Sequence, residues 1–299
     1  MALHVIVGAG PVGSALAREL LVRGEKVRVV TRSGSGVDGA DRVAVDAGDA
    51  GRLSELADGA AAIYNCVNPP YHRWATDWPP VANALLAAAE ASGAVLATTG
   101  NLYVYGPVSA AMTEQTPLAA TGTKGQVRIK MWQDALAAHD AGRIRAFEVR
   151  GSDYLGGNSL LSMLVSPALR KGRTAFVPAD LDAPHTWTNV EDVATLLVLG
   201  ASDERAWGRA WHVPSSPACS IRELTAIAAR QLGAKPKVRS LPGSVLWGVG
   251  VVNPTVRELR ETQHQFRKPF VLDSSAAEAT FGLRPTPLEE SVRLDLANS

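Results

Sequence analysis

Short β-branched runs alternate with longer alanine- and leucine-rich stretches through the first half of the chain. The short runs at Leu3–Val7, Lys26–Val30, Arg42–Val45, Ala61–Val67, Ala94–Thr98 and Ile144–Val149 are largely apolar and predict buried strands. Between them, Pro11–Arg23, Ala50–Ala57, Pro79–Ala91 and Gly125–His139 predict helices, each closed or closely followed by a glycine (Gly24, Gly59, Gly93, Gly142). Apolar strands separated by helices predict a parallel sheet covered on both faces. Past Arg150 the pattern breaks up at Gly156-Gly157 and at scattered prolines from Pro167 to Pro254, as expected of a smaller substrate-facing region. Within it, Asn189–Ala201 (cap Thr188 or Asn189, Glu191 and Asp192 in the first turn) and Ser220–Leu232 predict helices, and Trp207, Trp211 and His212 read as core or seam.

Gly8-Ala9-Gly10-Pro11-Val12-Gly13 follows the first strand directly and opens the first helix. In that context Gly8 permits a tight turn, Gly10 lets a pyrophosphate approach the backbone, and Gly13 allows close helix–strand packing, while the helix N-terminus favours an anion. Pro11, at an early helical position, loses little by lacking an N–H. The second strand ends at Thr31-Arg32-Ser33, where an NAD site carries an Asp or Glu for the ribose 2′-hydroxyl. A guanidinium beside two hydroxyls suits a 2′-phosphate, so NADP(H) is the expected cofactor. Asp46-Ala47, at the end of the third strand, is placed to meet the adenine, or Asp46 caps the next helix. The expected fold is α/β, a doubly wound parallel sheet of Rossmann type with a smaller C-terminal substrate region. Residues 1–150 would form the dinucleotide-binding part, with 189–200 returning to it, and residues 151–299 the substrate part.

Composition narrows the partners. The 299 residues are 46% hydrophobic and 20% charged, and 30 Lys+Arg against 29 Asp+Glu leave a net charge of +1, too little to gather nucleic acid or an anionic membrane. A small-molecule partner is expected, and a homodimer is compatible with the pattern. Cys66 and Cys219 stand far apart without metal-ligand company, and the N-terminus enters a strand without a signal-like segment, so a reduced, cytoplasmic location is expected. The most apolar later stretch, Leu241–Val252, is interrupted by Pro242, Gly243, Gly248 and Gly250 and is shorter than the roughly 20 residues that span a bilayer. No Gly-x-Ser-x-Gly elbow, phosphate-binding G-x-x-x-x-G-K-[ST] loop or H-E-x-x-H metal motif occurs, so no metal site is expected.

Gly8–Gly13, Asp46, Cys66-Val67-Asn68, Thr98–Gly106, Arg150–Gly156 and Thr188–Ala194 together resemble the extended or atypical short-chain dehydrogenase/reductase superfamily, which includes sugar-nucleotide epimerases and dehydratases. The resemblance covers most of the chain and implies a nicotinamide cofactor, with Asn68, Thr99 and Arg128 near it. It also implies a Tyr-x-x-x-Lys pair, whose lysine lowers the tyrosine's pKa for proton exchange. That pair is missing: Asn68, Ala75, Pro107, Ser109 and Asn158 stand four residues after the five tyrosines. Aligned on Gly125, the family's tyrosine and lysine fall on Lys124 and Arg128, and its hydroxyl position falls on Asn101.

The proton donor is therefore expected elsewhere, with Lys124, Tyr103 and His72 as candidates. Tyr71 and Trp74, in the loop after the fourth strand, together with Asn101, Asp153, Tyr154, His185 and Trp187, are the expected substrate contacts. The resulting expectation is an atypical NADP(H)-dependent oxidoreductase acting on a carbonyl, imine or alkene. The alternatives are a non-catalytic NADP(H) sensor of the NmrA-like kind, or an epimerase/dehydratase relative with relocated catalytic groups.

Overall fold

A computed structural model describes residues 1–252 and 254–298. In chain order the first half contains β1 (Leu3–Val7), α1 (Pro11–Val22), β2 (Lys26–Thr31), β3 (Asp41–Ala44), α2 (Ala50–Leu56), β4 (Ala60–Asn65), α3 (Trp74–Ser92), β5 (Val95–Asn101), α4 (Thr123–Asp140) and β6 (Arg145–Gly151). The second half adds β7 (Asp153–Leu155), α5 (Ser166–Arg170), β8 (Ala175–Val177), β9 (Trp187–Asn189), α6 (Val190–Ser202), β10 (Ala210–His212), α7 (Ile221–Gln231), β11 (Val238–Ser240), α8 (Gly243–Val252), α9 (Pro254–Thr262), α10 (Ser275–Phe281) and α11 (Leu288–Ala297).

Seven strands form one parallel sheet in the order β10-β6-β5-β4-β1-β2-β3. Side chains alternate across it. Ile6, Val29 and Tyr64 join α1 and α6 on one face, while Val5, Val7, Val30 and Ile63 join α2, α3 and α4 on the other. A third apolar cluster around Leu161, Val177, Leu224 and Val292 unites α7, α11 and the segment leading into α5. No helix among the described residues is long and apolar enough to cross a membrane.

Three expectations shift. The third main helix begins at Trp74, five residues before Pro79, because Trp74 and Trp78, one turn apart, both bury their rings even though Pro79 and Pro80 remove helix hydrogen bonds. Asp46 accepts from the Gly48 N–H instead of capping, and Asp49 caps α2. Trp211 and His212 belong to a seventh strand of three residues, too short to leave a periodic signal.

The carboxyl end of β6 carries a buried polar network. Arg150 Nε donates to Glu148 Oε1 at 2.6 Å, and Nη1 donates to the Tyr105 hydroxyl at 2.9 Å. His212 Nδ1 lies 2.9 Å from the Asp273 carbonyl, which only accepts, so the Tyr105 hydroxyl donates to His212 Nε2 at 2.7 Å. Burial accordingly holds His212 below the usual histidine range, as a neutral ring.

Candidate active site

Between β1 and β4 the strand order reverses: the chain leaves β1 toward β2 on one side, and β5 lies on the other. Loops diverge at such a point, and a cleft of about 930 Å³ opens along the carboxyl ends of the strands. The glycine-rich turn forms its floor. Gly8 has φ +105°, and a Cβ there would stand 2.6 Å from the Cys66 carbonyl oxygen. A Cβ on Gly13 would stand 2.0 Å from the Gly8 carbonyl oxygen, whereas one on Gly10 would meet nothing within 4 Å. Gly10 caps α1 without a side-chain acceptor, so the first-turn N–H groups are left for a ligand. Open space before Gly10 and an uncapped helix N-terminus fit the pyrophosphate of a dinucleotide.

Gly8, Gly10, Pro11 and Val12 line this cleft, as do Thr31, Arg32, Asp46, Ala47, Asn68 and Thr99. Gly13 lies beneath the wall, where it packs on the turn. Thr31 and Ser33 spend their hydroxyls on Ser35, and Ser33 lies off the cleft wall. Arg32 is exposed on the wall and has neither an ion pair nor a hydrogen bond among the described residues.

Farther along the same cleft stand Tyr71, Trp74, Asn101, Tyr103, Arg128, Asp153 and Tyr154. Asn101 accepts from the Tyr103 N–H and starts a single helical turn. The Tyr103 hydroxyl meets that of Tyr71 at 2.8 Å. Burial pushes both phenols above the usual tyrosine range, so they stay protonated and act as hydrogen-bond donors. Arg128 is only 5% exposed, with its guanidinium carbon 4.9 Å from the Trp74 ring centre and 4.4 Å from that of Trp78. Its Nη1 donates to the Thr99 carbonyl at 3.1 Å, and its buried Nε has no partner. Tyr154 donates to the Gly100 carbonyl at 2.6 Å, and burial raises Cys66 to about 12, leaving an inert thiol.

Besides Gly13 and Ser33, four sequence candidates lie off the cleft wall. Lys124 is fully buried, and its Nζ donates to Glu258 at 2.7 Å and Glu261 at 3.1 Å, so it clasps α9 against α4 and does not face the cleft. His72 is exposed on the outer side of its turn. His185 and Trp187 are buried behind the wall, where His185 reaches Asp153. Conversely, Ser159, Leu160, Gln265 and Phe270 line the cleft unforeseen. They come from short helical turns and irregular segments in the second half of the chain that carry no local motif.

Fold and cleft together define a dinucleotide-binding protein of the Rossmann class. The chain belongs to the NAD dependent epimerase/dehydratase family, whose sequence profile matches residues 4–212. No curated protein sequence matches it. Among solved structures it is similar to the dTDP-glucose 4,6-dehydratase DesIV from Streptomyces venezuelae with NAD and TYD bound, at 22% identity and TM-score 0.78 over 99% of this chain and 97% of that one. It is also similar to the Thermus thermophilus UDP-glucose 4-epimerase in complex with NAD (17%, 0.79, 99% and 98%) and to the Thermotoga maritima UDP-glucose 4-epimerase with UDP-glucose (15%, 0.81, 99% and 98%). At these identities the likeness shows the fold.

Proposed function

We propose that the protein is an NADP(H)-dependent oxidoreductase acting on a carbonyl, imine or alkene of a small metabolite. The observation that carries this reading is the Tyr71–Tyr103 hydroxyl pair, held at 2.8 Å in the same cleft as the Gly8–Gly13 turn. One hydroxyl hydrogen joins the pair, and the other is available to a substrate oxygen or nitrogen. A bound nicotinamide would supply or accept hydride; Gly10 and the α1 N-terminus would hold its pyrophosphate and Arg32 its 2′-phosphate. Trp74 and Arg128, both buried, would close the wall around the nicotinamide end. In this reading residues 1–150 and the returning segment 189–200 serve the cofactor, and later residues complete the substrate side.

The test is NADPH consumption, followed at its absorbance band, against a panel of small carbonyls, imines and activated alkenes. Consumption with at least one class is expected, and none with any class would contradict the reading. The buried ion pairs of Lys124 favour a second reading, an NADP(H)-responsive regulator, which predicts cofactor binding without consumption. For the cofactor choice, Arg32→Ala is expected to weaken NADPH binding about 10- to 100-fold, the worth of charge-assisted hydrogen bonds. NADH binding should change little, and equal losses for both would remove the 2′-phosphate assignment.

A further inference from the structure

Asp153 is the acidic residue that the second half of the chain contributes to the cleft wall, and its side chain is 26% exposed. Behind it, His185 Nε2 lies 2.7 Å from Asp153 Oδ2, and His185 Nδ1 lies 3.1 Å from the Gln265 carbonyl oxygen. That carbonyl can only accept, so Nδ1 carries a hydrogen. A neutral imidazole would then aim the Nε2 lone pair at a carboxylate lone pair across 2.7 Å, which is repulsive. A proton therefore lies between the two side chains.

The surroundings fix this arrangement. His185 exchanges backbone hydrogen bonds with Cys219 in both directions, and Asp153 stands opposite Trp187 in the β7–β9 ladder. The imidazole stacks on Phe266 with centroids 5.2 Å apart and planes 5° from parallel, with Phe270 at 5.5 Å and Trp187 at 4.6 Å. Aromatic faces stabilise a cationic ring where water is scarce. The other titratable groups nearby are Tyr71 and Tyr103 on the cleft side, and Cys219 and His264 behind the aromatic box. Burial makes the two phenols poor acids, and Asp153 Oδ1 accepts no hydrogen bond among the described residues.

We propose that Asp153 is the catalytic acid–base of the cleft and that His185 is its positioning residue, the pair holding the proton exchanged with substrate. The inference rests on the oxidoreductase reading. In the reducing direction a carbonyl carbon gains hydride from the dihydronicotinamide dinucleotide, which is oxidised, and the C=O π electrons pass to oxygen. That oxygen forms its O–H bond with the proton of the pair, and the pair regains a proton from water. The tyrosine hydroxyls orient the substrate oxygen while this occurs.

Two measurements on the full-length protein test it. Imidazole ¹⁵N and carboxyl ¹³C NMR at neutral pH, without ligand, should show one proton held between His185 Nε2 and Asp153 Oδ2, a signal that Asp153→Asn removes. Neutral His185 beside ionised Asp153 would overturn the proposal. NADPH consumption with 9,10-phenanthrenequinone should fall about 10²- to 10⁴-fold in kcat in Asp153→Asn, with NADPH affinity unchanged. His185→Asn should alter the pH profile, and Asp153→Glu should restore part of the rate. Wild-type turnover by Asp153→Asn would overturn the Asp153 assignment alone. A wild-type protein inert to the quinone and to every class of the carbonyl, imine and alkene panel, with the shared proton present, would overturn the oxidoreductase reading and the catalytic role together.

Discussion

Replacing Arg150 with methionine is expected to lower folding stability by about 3–5 kcal/mol, read as a fall in the urea midpoint. Arg150 and Glu148 are each about 1% exposed, and their contact at 2.6 Å is the ion pair that the Glu148 carboxylate makes. Removing the guanidinium leaves that charge buried without its hydrogen-bonded partner and strips a donor from Tyr105, whose hydroxyl in turn serves His212. The variant therefore loosens the joint between β6, β10 and the turn after β5. Glu148→Gln added to Arg150→Met should recover much of the loss, because the uncompensated charge is gone. A single variant within about 1 kcal/mol of the parent would mean that water reaches Glu148 and that the network contributes little.

Two glycines of the turn between β1 and α1 are expected to fail in different ways. Gly13→Ala drives a Cβ to 2.0 Å from the Gly8 carbonyl oxygen, a backbone atom that cannot step aside without opening the turn. Overpacking of that kind costs about 1–3 kcal/mol, so both stability and dinucleotide affinity should fall, the latter about 10- to 100-fold. Gly10→Ala finds nothing within 4 Å of its Cβ, and its φ of −70° suits any residue. Its melting temperature should match the parent while its affinity falls, because the methyl group occupies cleft space. Calorimetry and thermal melts on the two variants separate these cases. Unchanged affinity in Gly10→Ala would show that no ligand approaches this part of the backbone.

Most of the sheet was legible because β1, β2, β4, β5 and β6 are largely apolar runs and the first helices end close to glycines, whereas β3 is mostly exposed and β10 has only three residues. Gly8 and Gly13 could be assigned their packing roles from position alone, and the structure shows the close approaches that require them. Lys124 misled because alignment to Gly125 gives position along α4 and says nothing of what faces it. Glu258 and Glu261 arrive from α9, more than 130 residues later, and claim the ammonium group. His185 and Asp153 were both named from their place at the edges of the substrate region, yet their pairing across 32 residues depends on the β7–β9 ladder, which no periodicity announces. Gln265 and Phe270 were missed for the same reason: a single helical turn and the bridge after it deliver them, and only tertiary packing defines their path.

Under the proposed function this cleft holds a nicotinamide dinucleotide and prefers its 2′-phosphorylated form. Titration calorimetry of the full-length protein with NADPH, NADP, NADH and NAD tests it most directly. NADPH and NADP are expected to bind about tenfold or more tightly than NADH and NAD, the difference of roughly 1.4 kcal/mol or more that the Arg32 guanidinium would supply. Absence of binding by all four would contradict it, reducing the Gly8–Gly13 turn to a packing device between β1 and α1.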